Sequence, residues 1–257
     1  MKSFGLKLVF FLSIVWRIIP RFFRIQFMTG LCLLESRYSD PKNGLEKLFL
    51  IRDRLDWIIN ERAMVYGDGE HPKHRLTQYH KFFIQRIRNG EAVLDVGCGY
   101  GAVARSIACA HPSSKVVGID KDQIRLSVAR ANDNPPNLSF IDGDATKIES
   151  FGLWNVVVLS NVLEHIVDRV GFLKSLKSST GASRFLIRVP LFERDWQIAL
   201  RKELRINFFS DDDHKTEHTL AEFLLEIDSA GLFTLETITL WGEIWANCES
   251  KYPNANL

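Results

Sequence analysis

The sequence predicts an α/β fold in which helices cover both faces of a doubly wound parallel sheet, preceded by a helical extension. A buried strand at residues 93–96 runs into a glycine-rich turn and then into a helix at residues 102–110. Strand and helix patterns then alternate regularly as far as residue 189, and two β-rich runs follow. Such alternation is typical of parallel sheets, whose ligands bind beyond the carboxyl ends of the strands. We therefore expect a functional site at that edge of the sheet.

Composition and charge agree with one sizeable globular domain plus an extension. The chain has 257 residues, of which 46% are hydrophobic and 25% charged. Residues 1–34 carry five basic side chains and no acidic one, which leaves 28 basic against 31 acidic residues elsewhere. This balance gives no basic excess for a nucleic-acid groove. The four cysteines have neither C-x-x-C spacing nor the density of a disulfide framework, so we expect a reducing, cytoplasmic compartment and no zinc ribbon.

The first 34 residues are strongly apolar, but their longest charge-free runs, residues 8–16 and 25–34, are far shorter than the ~20 residues of a spanning helix. On a helical wheel the basic and apolar side chains separate. The basic side is formed by Lys7, Arg17, Arg21 and Arg24, and the apolar side by Phe4, Leu8, Leu12, Val15, Ile19 and Phe22. This pattern is typical of a helix in a membrane interface, although Pro20 kinks or ends it. The alternative is a helix that packs on its own domain or on a partner subunit.

Turns and apolar periodicity define the predicted elements. A turn at residues 39–44 precedes a helix at residues 45–64, and Gly67-Asp68-Gly69 breaks the chain again. We therefore predict a helical extension over residues 1–70 and a second domain over residues 71–257. Within that domain the pattern predicts seven strands, at residues 93–96, 115–120, 137–141, 155–160, 184–189, 233–240 and 243–248. It predicts helices at residues 77–88, 102–110, 121–131, 163–175 and 220–230. Residues 190–219 form a polar-aromatic insertion between the fifth strand and the last helix.

The glycine turn has the features of a cofactor site. Gly97, Gly99 and Gly101 allow a sharp turn and a close approach of the backbone to a ligand, while the next helix offers free N–H groups to an anion. Cys98 between them is most simply a small residue in a tight space. Glycine pairs also occur in ordinary strand-to-helix turns, so other residues must identify the ligand.

Three carboxylates favour S-adenosylmethionine over a dinucleotide. Asp95 precedes the turn, where an anion is unfavourable beside a pyrophosphate but helps to hold the sulfonium and ammonium cations of S-adenosylmethionine. Asp120 ends the next strand and can accept hydrogen bonds from both ribose hydroxyls of either cofactor. Asp144, after the third strand, can accept from the adenine amino group.

With these motifs in view, residues 77–250 resemble the class I S-adenosylmethionine-dependent methyltransferases. The resemblance rests on the glycine-rich stretch 93–101, the acidic stretch 117–120, the Asp142-Gly143-Asp144-Ala145 stretch and residues 155–166, in this order. Residues 160–165 are similar to the branch that methylates small molecules, including quinone precursors and glycan or lipid intermediates. The N-P-P-[YF] motif of amine methylation is missing, because Asn134-Pro135-Pro136-Asn137 stands in the wrong place and lacks the aromatic residue. DNA-adenine and glutamine N-methylation are therefore not expected.

The resemblance implies a Rossmann-like seven-stranded sheet of order 3-2-1-4-5-7-6, with strand 7 antiparallel. It also implies that S-adenosyl-L-methionine is the cofactor and that the chain is a methyltransferase acting on a small-molecule, glycan or lipid-linked acceptor. The residues then expected to contact the cofactor are Tyr79, Asp95, Gly97, Cys98, Gly99, Gly101, Asp120, Lys121, Asp144, Ala145, Ser160, Asn161 and Glu164.

Three histidines are candidates for accepting a proton from an acceptor hydroxyl. His165 follows the fourth strand, while His214 and His218 lie in the insertion that precedes the last predicted helix. The alternatives are that Glu164 only starts a helix and that the insertion is a solvated charged loop. His214 to His218 matches the H-x-x-E-H metalloprotease pattern, but that pattern needs a helix, whereas Thr219 is typical of the cap of a later one. We therefore expect no catalytic metal in this loop.

Two other functions remain open at this point. One is a nicotinamide-dependent reductase that uses the same glycine turn. The other is a non-catalytic subunit with a cofactor fold that serves a membrane-associated partner.

Overall fold

The computed structural model describes residues 13, 16–37, 40–69, 71–147 and 151–251. The chain divides into two compact units, Met1–Pro72 and Lys73–Leu257. The wheel positions predicted at Phe4, Lys7, Leu8, Leu12 and Val15 lie outside the described residues.

The described part of the first unit includes two long helices, α1 (Arg21–Arg37) and α2 (Pro41–Tyr66). Pro20 precedes α1 and lies outside helical structure, as its fixed backbone predicts. The α2 helix begins before the predicted residue 45, because Asp40 caps it by accepting from the Lys42 N–H at 3.0 Å. A side chain at Gly44 would lie 2.2 Å from the Ser36 carbonyl oxygen, so the two helices approach closely at this point. Among the described residues, no helix is both long enough and apolar enough to cross a bilayer.

The second unit is a seven-stranded sheet flanked by helices. Its elements are α3 (Lys73–Thr77), α4 (Tyr79–Ile84), β1 (Ala92–Val96), α5 (Ala102–Ala110), β2 (Lys115–Asp120), α6 (Gln123–Ala131), β3 (Leu138–Asp142), β4 (Val156–Ser160), a 3₁₀ turn (Leu163–His165), α7 (Arg169–Thr180), β5 (Arg184–Pro190), a second 3₁₀ turn (Phe192–Arg194), α8 (Trp196–Leu204), α9 (Leu220–Ser229), β6 (Leu232–Leu240) and β7 (Glu243–Ser250). The sheet order is β3-β2-β1-β4-β5-β7-β6, and β7 runs antiparallel to both of its neighbours. The predicted fold and strand order are therefore confirmed.

The central strands are buried on both faces, as a doubly wound sheet requires. Alternate residues of β1 enter different halves of the core: Val93 packs with Phe83 and Ile107, whereas Leu94 packs with Leu173 on the other side. This burial fixes the register of β1 between β2 and β4, because a slip of one residue would exchange the two faces. The carboxyl ends of β1, β2 and β4 are thereby held side by side.

The second unit differs from the predicted elements in several places. The short helix α3 was not predicted. The helix predicted at residues 77–88 is shorter, since α4 ends at Ile84. The helix predicted at residues 163–175 is a 3₁₀ turn followed by α7, because Asp168 starts a new helix by accepting from the Gly171 N–H at 2.8 Å. The insertion contains α8, which the sequence analysis missed. Its signal is Asp195, which caps α8 by accepting from the Gln197 N–H at 3.0 Å.

Candidate active site

The glycine turn joins β1 to α5 in a conformation that favours glycine. Gly97, Gly99 and Gly101 have φ angles of +69°, +54° and +74°. A Cβ atom on Gly101 would lie 2.5 Å from Cζ of Phe140, so neither the backbone nor the space admits a side chain there. The Gly97 N–H donates to the carbonyl of Ile119 at 2.8 Å, which ties the turn to the end of β2. The turn is therefore a rigid cradle with its backbone accessible to a ligand.

Asp120 holds the same turn through its carboxylate. One oxygen accepts from the Gly99 N–H at 2.7 Å, and the other accepts from the Asp122 N–H at 2.8 Å. The side chain is 9% exposed. Because an ionised carboxylate has about four acceptor positions, Asp120 can also accept from the ribose hydroxyls of a cofactor. The residue predicted to bind ribose thus also shapes the turn.

Asp95 is a buried carboxyl group directly before the turn. Burial raises its pKa to about 7; the Ala104 N–H opposes this rise and the charge of Asp120 adds to it. Its Oδ2 atom is buried and has no hydrogen-bond partner among the described residues. A buried acceptor without a donor is costly, so this site suits a ligand that brings a donor or a positive charge. The sulfonium and ammonium groups of S-adenosylmethionine meet that description.

Cys98 packs beside the neighbouring strand. Its Sγ atom would lie 2.7 Å from a Cβ on Gly118, and burial raises the pKa of the thiol. These properties fit a small residue in a tight space rather than a reactive thiolate.

The remaining predicted cofactor residues differ in their surroundings. Lys121 is exposed after β2, and Ala145 packs against the core. The Asp144 carboxylate accepts from the Thr146 hydroxyl at 2.6 Å and pairs with Lys147 at 3.4 Å. The Thr146 hydroxyl is the main cause that lowers the pKa of Asp144, so this carboxyl group is ionised at neutral pH.

Sequence reasoning did not identify the ion pair between the buried Arg188 and the half-buried Glu243 at the end of the sheet. The Arg188 guanidinium donates through Nε to Glu243 at 2.6 Å and through Nη1 to the Ser160 hydroxyl at 3.3 Å. It also lies 3.9 Å from the centre of the Tyr79 ring. Arg188 therefore links two predicted cofactor residues, Tyr79 and Ser160. The available signal was an arginine inside a buried strand, which needs a carboxylate partner.

The end of β4 leads into a cluster of one carboxyl group and two imidazoles. Glu164, His165 and His214 each offer a ligand atom, and these atoms lie within 4.8 Å of one another. The rings of the two histidines pack edge to face with centroids 4.7 Å apart. The main-chain carbonyl of Glu164 accepts from the Lys215 N–H at 2.7 Å, which fixes the insertion loop against the 3₁₀ turn. Glu164 and His214, which are fifty positions apart in sequence, are thereby brought together.

The same cluster adjoins the glycine turn. A Cβ on Gly97 would lie 2.8 Å from Cγ2 of Val162, and Val162 is followed by the 3₁₀ turn that carries Glu164 and His165. Preceding it, Asn161 has a φ angle of +58° and a buried Oδ1 atom without a hydrogen-bond partner among the described residues.

Burial and neighbouring charges set the protonation of this cluster. Burial raises the pKa of Glu164 to about 8, and it lowers the pKa of His165. Burial also acts to lower the pKa of His214, but the hydrogen bond to Glu217 and the charge of Glu164 outweigh it, so this pKa is raised. His165 is therefore the imidazole that stays neutral and can accept a proton.

His218 has separate surroundings. It is 1% exposed, and its Nε2 atom lies 3.0 Å from Glu226 of α9, which also pairs with Arg169. Glu217 instead contacts Arg194 and His214. The H-x-x-E-H residues therefore do not converge on one point. Thr219 caps α9 with a capping box, as its sequence predicts.

Comparison with known proteins finds methyltransferases that are similar to this chain in the region of the glycine turn. The family model described as "Methyltransferase domain" matches residues 93–180. The ribosomal protein L11 methyltransferase of Thermotoga neapolitana is 27% identical over 206 residues, which cover 70% of this chain and 76% of that protein. The ubiquinone biosynthesis O-methyltransferase of Actinobacillus pleuropneumoniae is 34% identical over 119 residues, which cover 42% of this chain and 50% of that protein.

Solved structures agree in fold. The magnesium protoporphyrin IX methyltransferase of Synechocystis, with bound S-adenosylhomocysteine, superposes with a TM-score of 0.54 at 16% identity. The match covers 69% of this chain and 83% of that one. The sheet order, the glycine turn with its acidic neighbours and these similarities identify a methyltransferase domain with the fold of the class I S-adenosylmethionine-dependent methyltransferases, and S-adenosylmethionine is its cofactor.

Proposed function

We propose that the chain transfers the methyl group of S-adenosylmethionine to a hydroxyl group of a small-molecule, glycan or lipid-linked acceptor. The observation that carries this proposal is the cluster of Glu164, His165 and His214 beside the glycine turn. A hydroxyl is a weak nucleophile until it loses its proton, and this cluster offers imidazole nitrogens where that proton can go. An acceptor that is already nucleophilic would need no such groups.

The chemistry divides between cofactor and protein. The sulfonium supplies an activated methyl group. In the proposed arrangement the chain holds the cofactor, aligns the acceptor oxygen in line with the methyl carbon and excludes water. The O–C bond forms as the C–S bond breaks, the electron pair stays on sulfur, and the hydroxyl proton leaves through the histidine cluster.

The proposed cofactor contacts follow the carboxylates and the turn. Asp120 accepts from the ribose hydroxyls, Asp144 accepts from the adenine amino group, and Asp95 faces the cationic end of the cofactor. The backbone of the turn, from Gly97 through Cys98 and Gly99 to Gly101, lies along the ligand. The other proposed contacts are Tyr79, Lys121, Ala145, Ser160, Asn161 and Glu164.

The acceptor class rests on chemistry and on one relative. The ubiquinone biosynthesis O-methyltransferase acts, by its name, on a hydroxyl, and the family resemblance around Ser160 to His165 points the same way. The ribosomal protein L11 methyltransferases give a specific reason for a second candidate, a protein acceptor, for which we consider an amine. The missing N-P-P-[YF] motif and the histidine cluster favour the hydroxyl.

Labelling with S-adenosylmethionine carrying an isotopic methyl group tests the acceptor. Extracts of the source organism are divided into lipid, glycan, small-molecule and protein fractions and incubated with the full-length protein. Mass spectrometry of the labelled product should locate the label on an oxygen in one of the first three fractions. Label confined to lysine or N-terminal amines of a protein would refute the proposal.

Histidine variants test the cluster. The sequence-based proposal includes His165, His214 and His218, but the contact of His218 with Glu226 favours a structural role for that ring. His165→Ala and His214→Ala should keep S-adenosylhomocysteine binding while at least one loses turnover by ~10² to 10⁴. His218→Ala serves as the matched variant and should mainly lower the melting temperature. Full turnover in His165→Ala and in His214→Ala would leave the loop without a chemical role.

We also propose peripheral attachment of residues 1–34 to an anionic membrane surface. The support is their unopposed basic charge together with exposed aromatic side chains of α1, among them Phe22 and Phe23 at 66% and 61% exposure.

A further inference from the structure

The cluster of Glu164, His165 and His214 contains a buried carboxyl group that its surroundings do not satisfy. Glu164 is 0% exposed, and beyond its own backbone amide neither side-chain oxygen has a hydrogen-bond partner among the described residues. Nδ1 of His165 is also buried, and the exposed Asp213 carboxylate lies 3.2 Å from it, outside hydrogen-bond geometry. Unsatisfied buried groups of this kind are rare in native proteins and call for a missing partner. A proton-accepting histidine by itself does not supply one to Glu164.

One partner can satisfy the Glu164 carboxyl group and the His165 imidazole together. We propose that Glu164, His165 and His214 bind a first-row divalent metal ion, Zn²⁺ being the best match. Their ligand atoms lie within 4.8 Å of one another, close enough to surround one ion after small side-chain movements. Two imidazoles and one carboxylate form the His₂Glu set that zinc uses in catalytic sites, where a fourth position stays open. Mg²⁺ and Ca²⁺ prefer oxygen ligands and fit this set less well.

The surroundings of His214 give an independent reason. Its Nδ1 atom lies 3.2 Å from Glu217, which is itself held by Arg194 and by the Ser210 N–H. Metal-binding histidines almost always give their second ring nitrogen to such a carboxylate, which fixes the ring and its tautomer. This contact assigns Nε2 of His214 to the ion.

The neighbouring loop adds negative charge at the mouth of the cluster. Asp211 and Asp213 form a second group with His214, and Asp213 lies 3.2 Å from Nδ1 of His165. Both aspartates are exposed. They therefore increase the local attraction for a cation without being needed as buried ligands.

This site deepens the proposed function and rests on it for its role. An acceptor hydroxyl that occupies the open position of the ion would have a lowered pKa, as water does on catalytic zinc. The ion then takes the place of the imidazole nitrogens in activating the hydroxyl, whose proton passes to solvent. The oxygen attacks the methyl carbon as the C–S bond breaks, and S-adenosylhomocysteine leaves. The proposal departs from the expectation of no metal, which considered only the H-x-x-E-H residues.

Metal binding is measured separately from activity. Tag-free full-length protein is treated with a chelator, dialysed, and titrated with Zn²⁺ by calorimetry, while Co²⁺ is followed by its visible absorption. We expect one equivalent of Zn²⁺ and a Co²⁺ spectrum of low coordination number. Glu164→Gln and His214→Ala should each weaken binding by more than ~100-fold, since loss of a partner such as Glu217 alone typically costs 10- to 100-fold. Melting curves and S-adenosylhomocysteine titrations check that the variants are folded.

Asp212→Asn is the matched control, because this exposed residue lies in the same loop and belongs to neither group. It should bind Zn²⁺ like the unaltered protein. Equal Zn²⁺ binding in the control, Glu164→Gln and His214→Ala would show adventitious binding and overturn the proposal, as would the absence of binding. Methyl transfer that needs His214 but no metal would overturn the metal site and leave the proposed function intact. Binding of Zn²⁺ at the cluster together with methylation of protein amines only would support the metal site and overturn the proposed function.

Discussion

Replacement of Asp120 by alanine is expected to weaken the binding of S-adenosylmethionine and S-adenosylhomocysteine about ten- to hundredfold. Each hydrogen bond from a ribose hydroxyl to this carboxylate is charge-assisted and contributes about 1.5–3 kcal/mol. A loss of 1.4 kcal/mol corresponds to a factor of ten in affinity. The predicted range is that of one such bond, which makes it the smallest loss of affinity expected if Asp120 accepts from both ribose hydroxyls.

The structure adds a second consequence to this variant. Asp120 accepts from the Gly99 and Asp122 N–H groups, so alanine leaves two donors without their partner. An unsatisfied buried donor costs about 1–3 kcal/mol. Because water can enter the space left by the carboxylate, we expect the lower end for each of the two N–H groups, a total loss of unfolding free energy of about 2 kcal/mol. Asp120→Asn keeps one acceptor oxygen and should be less destabilised.

Calorimetric titration with S-adenosylhomocysteine checks the affinity, and urea unfolding checks the stability. Asp142→Ala is a matched control, since Asp142 is the register neighbour of Asp120 on β3 and its exposed carboxylate accepts from Gln123. A surface change of this kind alters free energies by less than ~0.5 kcal/mol, or about twofold in affinity. A folded Asp120→Ala that binds S-adenosylhomocysteine as tightly as the control would refute the assigned role.

Three further predictions concern pH, packing and membrane contact. Burial raises the pKa of Asp95 to about 7 from 3.8, so the native state keeps a proton that the unfolded chain has lost, and stability falls as the pH rises from about 4 to about 7. Asp95→Asn removes this pH-dependent loss of stability. In urea unfolding, the free energy of unfolding of the variant relative to that of the unaltered protein should therefore be higher at pH 8 than at pH 5. Gly101→Ala should lower the free energy of unfolding by about 2–5 kcal/mol, because left-handed strain adds to the contact with Phe140. Gly90 has a φ angle of +89° but open space around it, so Gly90→Ala should lose only the strain, about 1–2 kcal/mol. Deletion of residues 1–34 should abolish sedimentation with anionic vesicles, and high salt should weaken it in the full chain.

Each of these predictions has a contradicting result. A stability difference between Asp95→Asn and the unaltered protein that is constant from pH 5 to pH 8 would show that Asp95 titrates normally. Equal losses in Gly101→Ala and Gly90→Ala would remove the packing argument. Identical partition of full-length and truncated protein between vesicles and buffer would assign the N-terminal stretch to protein packing.

The sequence by itself determined the framework, and it was enough to predict the cofactor end of the site. Continuous apolar runs, which mark strands buried on both faces, and glycines at the strand ends are local signals that can be recognised within a few residues. Roles for the glycine turn, Asp95 and Asp120 could be predicted because these residues belong to one strand, one turn and the next strand end. Their mutual positions follow from the parallel order of β1 and β2.

Only the tertiary structure decided which distant side chains meet. His214 and His218 are four residues apart in an irregular loop, so their spacing does not show which way either ring points. The backbone contact of Glu164 with Lys215 turns His214 toward the cluster, whereas the contact with Glu226 turns His218 toward α9. Pairing across elements depends on how the loop packs, which no local periodicity encodes, and the Glu164–His165–His214 cluster therefore became visible only in the folded chain.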